Sequence, residues 1–441
     1  MTKTFSSSLF EPFRERLFRT LWIAAFVSNI GTWMQNVGVS WLAATFSASP
    51  LMIALIQTAS SLPALVVSYP GGVISDHCDR RKLLIGLQIF LFVVTAILSV
   101  LAYRHMLDIR LLILFTLLTG IGSAFNTPVW QAITPETVSR QWFKEAIALN
   151  GINFNLARAV GPALGGIMLA IWGVKSIFLF NALSFLALIW GLMGWKNVYT
   201  HTGAPFLSSA REGLAAIRRS EPYKKLLVRT ISFTGFVSIV FAFLPRLSKY
   251  EWKQTSGQYT WLWVALGLGA LAGGHLFGLL NKNTKLTRIV WLGCVEIGGC
   301  LFLLTLSRNA YYLDAVMFLT GIGWINTTSS LNVMAQQYAP DALKGRFLAA
   351  NVTVFQGSIA LSSAFWGYLS DYFKPLTVVE IAAVDMIIFS TILSLFPIPE
   401  PATPTTDAVP CSDPLLQYHA PNAPPASSAT LVPTAVRPVD I

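Results

Sequence analysis

Between Leu21 and Phe396 the sequence is a succession of apolar runs close to twenty residues long, separated by short polar stretches. A helix of about 20 residues rises the roughly 30 Å of a hydrocarbon core and satisfies its own backbone there, which few other structures can do. The runs are continuously apolar instead of alternating in units of about ten, and this excludes a β-barrel. Composition agrees. Of 441 residues 54% are hydrophobic and 12% charged, about half the charged share of a soluble domain, and mean hydropathy is +0.59. The chain is read as an all-α membrane protein, and secreted, fibrous, disordered and soluble-enzyme classes are excluded for its bulk.

Twelve spans are predicted, at 20–46, 51–74, 83–103, 110–134, 145–170, 175–195, 225–248, 258–280, 287–306, 311–335, 344–368 and 376–396. They divide the chain into an N-terminal segment (1–19), a first six-helix half (20–195), a polar connector (196–224), a second six-helix half (225–396) and a tail (397–441). Pro63, Pro128 and Pro162 lie inside spans, where neighbouring helices can re-satisfy the backbone. Arg14, Arg16 and Arg19 precede a first run too long for a signal-peptide core, so it reads as an uncleaved span. Cys78, Cys294, Cys300 and Cys411 show neither metal nor disulfide spacing and read as free thiols.

The net charge of +11 reads as topology and not as a nucleic-acid partner. Lysine and arginine concentrate in the N-terminus, the connector and the loops after spans 2, 4, 8 and 10. The other side holds Arg104, Arg110, Lys175, Arg246, Lys249, Lys253, Arg308 and Lys374. With Lys225 and Arg229 counted to the connector, Arg158 alone is assigned inside a span. By the positive-inside rule both termini and the connector face the cytoplasm. Within the connector, Arg211, Arg218, Arg219, Lys224 and Lys225 alternate with Leu207, Leu214 and Ile217, the pattern of a short amphipathic helix on a lipid surface. The tail holds 11 of the 23 prolines and is read as disordered.

The halves repeat. Leu118-Thr119-Gly120-Ile121-Gly122 recurs as Leu319-Thr320-Gly321-Ile322-Gly323, an offset of 201. Asn150 and Asn351 share that offset, and Gly71-Gly72 matches Gly273-Gly274 one residue further on. Two six-span repeats in the same orientation imply a two-fold axis along the membrane normal, with a binding site near the midplane between them. No nucleophile–base pair, metal-ligand cluster or phosphate loop is visible. A transporter is therefore expected, not an enzyme, and no metal or cofactor.

After span 2 comes Gly72-Val73-Ile74-Ser75-Asp76, followed by Arg80, Arg81 and Lys82. A carboxylate where the span leaves the membrane, one helical turn from a cation, can act as a breakable latch. Span 5 carries Asn155-Leu156-Ala157-Arg158-Ala159-Val160-Gly161-Pro162-Ala163-Leu164-Gly165-Gly166. Gly161 and Gly165 share one face and permit close helix contact. These two motifs resemble those of the major facilitator superfamily. The resemblance implies a cytoplasmic gate at Gly72, Asp76, Arg80, Arg81 and Lys82, and an antiporter-type motif at Arg158, Gly161, Pro162, Gly165 and Gly166. In the second half the matching loop after Gly274 has Gly278, Lys282 and Lys285 but no aspartate. The run Phe125-Asn126-Thr127-Pro128 to Pro135-Glu136, then Ala146 to Asn150 and Asn155 to Gly166, with Gly31-Thr32-Trp33-Met34-Gln35 in span 1, is similar to the siderophore and macrolide efflux branch. Thr116 and Thr119 stand where drug antiporters of the superfamily usually carry a span-4 arginine, which leaves the coupling mechanism open.

An ionisable group at depth costs several kcal/mol, so it is a functional candidate by default. Arg158 can attract an anionic oxygen or pair with an acid or with helix carbonyls. Glu296 and Asp385 are the carboxylates that could carry a proton, or else be packing residues of peripheral spans. Asn29, Thr32 and Asn36 share one face of span 1, beside Trp33. With Asn126, Asn150, Asn155, Asn326 and Gln356 they form the candidate substrate cavity, the alternative being hydrogen bonds between helices. Trp33, Trp130 and Trp324 are candidate aromatic surface. Trp22, Trp261 and Trp263, near span ends, read as interfacial anchors.

The expected protein is a twelve-helix facilitator exporting a small amphiphilic molecule, a siderophore before others, by proton antiport with alternating access. Multidrug or macrolide efflux is the alternative, and solute import a weaker one. Its partners would be the substrate, protons and membrane lipids, with a monomer sufficient for transport. Its place would be a bacterial inner membrane.

Overall fold

Each predicted span is a helix in the computed structural model, which describes residues 9–195, 206–340 and 343–399. The side chains of a few helical positions, among them 71–77 and 155, lie outside that description, as do residues 400–441 of the tail. The first half contains α1 (Arg16–Phe46), α2 (Pro50–His77), α3 (Arg80–Tyr103), α4 (Ile109–Ile133), α5 (Phe143–Trp172) and α6 (Val174–Met193). Helix α7 (Phe206–Arg219) forms within the connector. The second half contains α8 (Glu221–Arg246), α9 (Ser256–Asn283), α10 (Leu286–Leu306), α11 (Ala310–Gln337), α12 (Lys344–Leu369) and α13 (Pro375–Ser394).

Local chemistry sets the ends. Asp79 caps α3 by accepting from the Arg81 and Lys82 amides (3.0 and 3.2 Å), and Asp108 caps α4 through the Leu111 amide (2.7 Å). Thr255 and Gln258 form a reciprocal capping box on α9. Gly173, at φ +78°, supplies the left-handed residue that turns α5 into α6.

Ten of these helices are long and apolar enough to cross a membrane. Helices α1 and α11 match them in length but are more polar, with Ser28, Asn29, Gln35 and Asn36 on one and Asn326, Thr327, Thr328 and Ser330 on the other. An inner helix shielded from lipid can carry such residues. The protein is a multi-pass membrane protein.

Packing repeats one for one between the halves. In the first, α2 packs on α4, α3 on α4 and α6, and α1 on α5 and α6; in the second, α9 packs on α11, α10 on α11 and α13, and α8 on α12 and α13. The halves meet where α2 runs along α12 and α5 along α9, again a symmetric pair. The repeated glycines are where helices touch. A Cβ on Gly120 would press on the Ala59 and Ser60 carbonyl oxygens of α2, and one on Gly321 on Leu266 and Ala270 of α9.

The halves close at the end opposite the connector. There Arg246 donates to the Ala48 carbonyl (3.0 Å), Tyr250 to the Ala44 carbonyl (2.9 Å), and Trp41 packs on Tyr259. Arg246 also pairs with Glu251 (3.2 Å) across a π-helical turn, Leu247–Glu251. Gly367 rests on Leu51 and Ala54, and Gly166 on Thr260. Toward the connector end the halves part. Leu271, Ala272, Gly274, His275, Leu276, Gly278 and Leu279 of α9 are exposed, as are Ile147, Gly151, Ile152 and Phe154 of α5.

Candidate functional site

Arg158, Trp33 and Trp324 each lie near the midpoint of a long helix, α5, α1 and α11 respectively. The Arg158 guanidinium carbon sits 5.0 Å from the centroid of Trp33, 5.0 Å from Phe154 and 5.7 Å from Trp324. Three rings, one of them from the second half, therefore surround one cation. Behind Trp324 stand Phe233, Phe241 and Phe355, at centroid distances of 5.5, 4.9 and 6.2 Å. This aromatic wall fixes the Trp324 face that the guanidinium sees.

Helix α5 reaches this position through its glycines. A Cβ on Gly161 would strike the Trp33 Cβ, and one on Gly165 the Met34 backbone, so both seat α5 directly on α1. Gly166 points the other way and touches Thr260 of α9, in the second half. Pro162 has no N–H to offer the Arg158 carbonyl four residues earlier, so the helix is interrupted beside the arginine.

Ring faces attract a cation, with about 2 kcal/mol for a desolvated pair, but they accept few of the five guanidinium N–H bonds. Nε of Arg158 is buried without a hydrogen-bond partner, and the side chain makes no ion pair with any described residue. The site can therefore accept an anion. Aromatic faces around it suit a ligand that is apolar or aromatic beside its charge.

The other predicted cavity residues divide. Asn36 is exposed on α1, and Thr32 is partly exposed with its hydroxyl donating to Ser28 O (3.0 Å). Asn29 donates to Asn153 (2.9 Å), which donates in turn to Trp22 O (2.9 Å), tying α1 to α5. Asn126 turns away from the centre and accepts from Gln88 (2.8 Å) between α3 and α4. Asn150 donates to Thr134 (3.2 Å). Asn326 is buried with its Oδ1 unpartnered, and Gln356 is partly buried. Asn155 lies outside the described side chains.

In the loop after α2, Arg80 pairs with Glu136, and Arg81 caps α6 by donating to the Leu192 and Met193 carbonyls (3.0 and 2.9 Å). Lys82 lies 4.0 Å from Asp79. The Gly72 and Asp76 side chains fall outside the description. Glu296 on α10 faces Gly323 of α11. Asp385 lies on α13, which packs on α8 and α10. Neither is among the groups around Arg158.

Three sequence expectations are corrected. Arg229, counted with the connector, stands more than two turns into α8 and is 7% exposed, so Arg158 is not alone within a span. Trp263, expected at the interface, is 6% exposed and packs on Phe241 and Tyr259, whereas Trp261 is exposed. Trp130 packs near Leu21 and Leu84 instead of facing the centre. Phe154 was missed although it stands one turn before Arg158, a spacing that puts both on one face.

Two pseudo-symmetric six-helix halves around a midplane site define a transporter of the major facilitator superfamily. Within it, the chain belongs to the transmembrane secretion effector family, whose sequence profile matches residues 7–422. It is a transporter, not an enzyme. The staphyloferrin A transporter of Staphylococcus aureus is 26% identical over 378 residues, 82% of this chain and 92% of that protein. The enterobactin exporter of Escherichia coli O1:K1 / APEC is 24% identical over 403 residues, 86% and 91% of the two chains. Macrolide efflux protein A of Streptococcus pyogenes is 22% identical over 274 residues, 61% and 67%. In fold, the chain resembles a bacterial homologue of the human lysosomal transporter Spinster, with TM-score 0.67, 12% identity, and 88% and 96% coverage.

Proposed function

We propose that this facilitator exports a small anionic amphiphile, a siderophore before other substrates, from the cytoplasm in exchange for protons. The observation that carries the reading is Arg158: a midplane cation with no acid beside it among the described residues, held between rings of both halves. An anionic chelator with apolar or aromatic parts complements that site. A substrate whose charge is an amine would be repelled by it. Relatives named for staphyloferrin A and enterobactin support the same choice. Macrolide efflux is the second reading, favoured by the third relative.

In this proposal the connector end faces the cytoplasm, because the basic residues concentrate there, and the membrane is a bacterial inner membrane. The state described above is then the cytoplasm-open one, ready to load. Substrate binding draws Trp33 and Trp324 together across Arg158, and the arms of α5 and α9 close at the connector end as Arg246 and Tyr250 release the other. Arg80, Arg81, Lys82, Gly72 and Asp76 form the gate on the loading side. Glu296 or Asp385 carries the proton, acting at a distance from the substrate. One chain supplies the whole path.

Ligand-induced thermal stabilisation of the purified protein tests the reading. A catecholate chelator and a citrate-type chelator should stabilise it, and Arg158→Gln should weaken both by at least about tenfold, the scale of a hydrogen bond to a charged group. Stabilisation by ethidium but by neither chelator, unaltered by Arg158→Gln, would reject it.

A further inference from the structure

Between α8, α10 and α13, close to their connector ends, lies a narrow, half-open cleft. Arg229, Ser232, Thr287, Trp291, Ser390 and Ser394 are among the residues lining it, and no carboxylate does among the described residues. Arg229 is 7% exposed. Its Nη2 donates to the Leu393 and Phe396 carbonyls (both 2.9 Å), closing the end of α13, while Nη1 is buried with no partner. Capping α13 explains one half of the guanidinium and leaves the other unexplained.

The side chains that line the cleft with Arg229 include four hydroxyls. The Ser232 and Thr287 side chains make no hydrogen bond with a described residue, whereas Ser390 and Ser394 donate to their own helix. Thr287 is the second residue of α10, whose N-cap, Lys285, gives no side-chain cap. The Arg288 and Ile289 amides of that 21-residue helix are met by the Lys285 carbonyl (2.9 and 3.1 Å). The Leu286 and Thr287 amides have no acceptor among the described residues, and the helix dipole places positive potential at the cleft. Lys225 stands one turn before Arg229 and holds the Pro397 carbonyl (3.2 Å). A buried half-used guanidinium, two free hydroxyls and an uncapped helix start converge with no negative charge to balance them.

We infer that this cleft binds a phosphate group, and that its source is an anionic phospholipid headgroup or free inorganic phosphate. The level of the cleft, at helix ends, is that of headgroups, and basic sites between helices there recognise them. Exposed Leu292, Ile392, Leu395 and Phe396 offer acyl chains an apolar surface beside it. The inference rests on membrane embedding and on the second half alone, not on the transported substrate.

The test uses the purified full-length protein with added phosphatidylglycerol or phosphatidylcholine, and separately with potassium phosphate or chloride at equal ionic strength. Thermal midpoint and co-purified lipid are read together. Phosphatidylglycerol should be retained over phosphatidylcholine and raise the midpoint, and Arg229→Gln should abolish that difference. Because Arg229 also closes α13, the double variant Ser232→Ala/Thr287→Val keeps that cap. It should lose at least about tenfold in phosphatidylglycerol affinity, the scale of a hydrogen bond to a charged group. A response to phosphate alone, lost in the double variant, supports the site and assigns the free ion as its source. Equal retention of both lipids with no response to phosphate overturns the inference. So does a double variant that behaves as the wild type, which would leave Arg229 as the cap of α13 only.

Discussion

Under the proposal Arg158 decides the chemistry, because it is a cation at mid-helix with no acid beside it among the described residues. Lysine would keep the charge but lose the flat face that stacks between Trp33, Phe154 and Trp324. Transport should therefore fall at least about tenfold in Arg158→Lys and further in Arg158→Gln, measured as efflux from loaded cells. Equal activity of wild type and Arg158→Gln would remove the arginine from substrate binding. Arg158 and Trp33 were legible in the sequence, since a charge and an indole in apolar runs stand out. Their meeting with Trp324 was not, because it depends on which faces of two distant helices oppose each other. Asn126 shows the same limit. Its amide declares hydrogen-bonding capacity but not direction, and Gln88 satisfies it outside the centre.

At the scale of the element, α5 is the mechanical part of the proposal. Its glycines seat it on α1 by one face and on α9 by another. A large side chain at Gly166 cannot be housed against Thr260, so Gly166→Leu should wedge that end apart and favour the connector-closed state. Spin labels at Ile152 and Leu279, both exposed toward the connector end, should then move closer together. Unchanged distances would contradict the role given to this contact. Tyr250→Phe removes the bond to the Ala44 carbonyl, a loss of about 0.5–1.5 kcal/mol, and should shift the same equilibrium about two- to tenfold in the same direction. The helices themselves were readable from apolar run length within a few residues. Arg229 was misassigned because a charge near the start of a run reads as loop when only sequence distance is counted. In space, the end of α13 folds its free carbonyls over it.

Across the whole molecule, the pentapeptide repeat announced the architecture because its glycines are contact points and contact points constrain sequence. The second half departs from the first where function can enter. Gly323 meets Glu296 on α10, while the first half has Thr95 at the position 201 residues earlier. Under the proposal, this carboxylate present in one half only is a candidate proton carrier. Under the proposal Glu296→Gln should uncouple export from the proton gradient while leaving chelator binding intact; export still driven by the gradient would shift the role to Asp385 or elsewhere. The central claim, export of an anionic chelator, is tested most directly by mass spectrometry of medium and cell contents from parent and deletion strains under iron limitation. The account predicts that one chelator leaves the medium and accumulates in the cells, and that complementation restores it with the wild type but not with Arg158→Gln. An unchanged chelator profile in both compartments would contradict it.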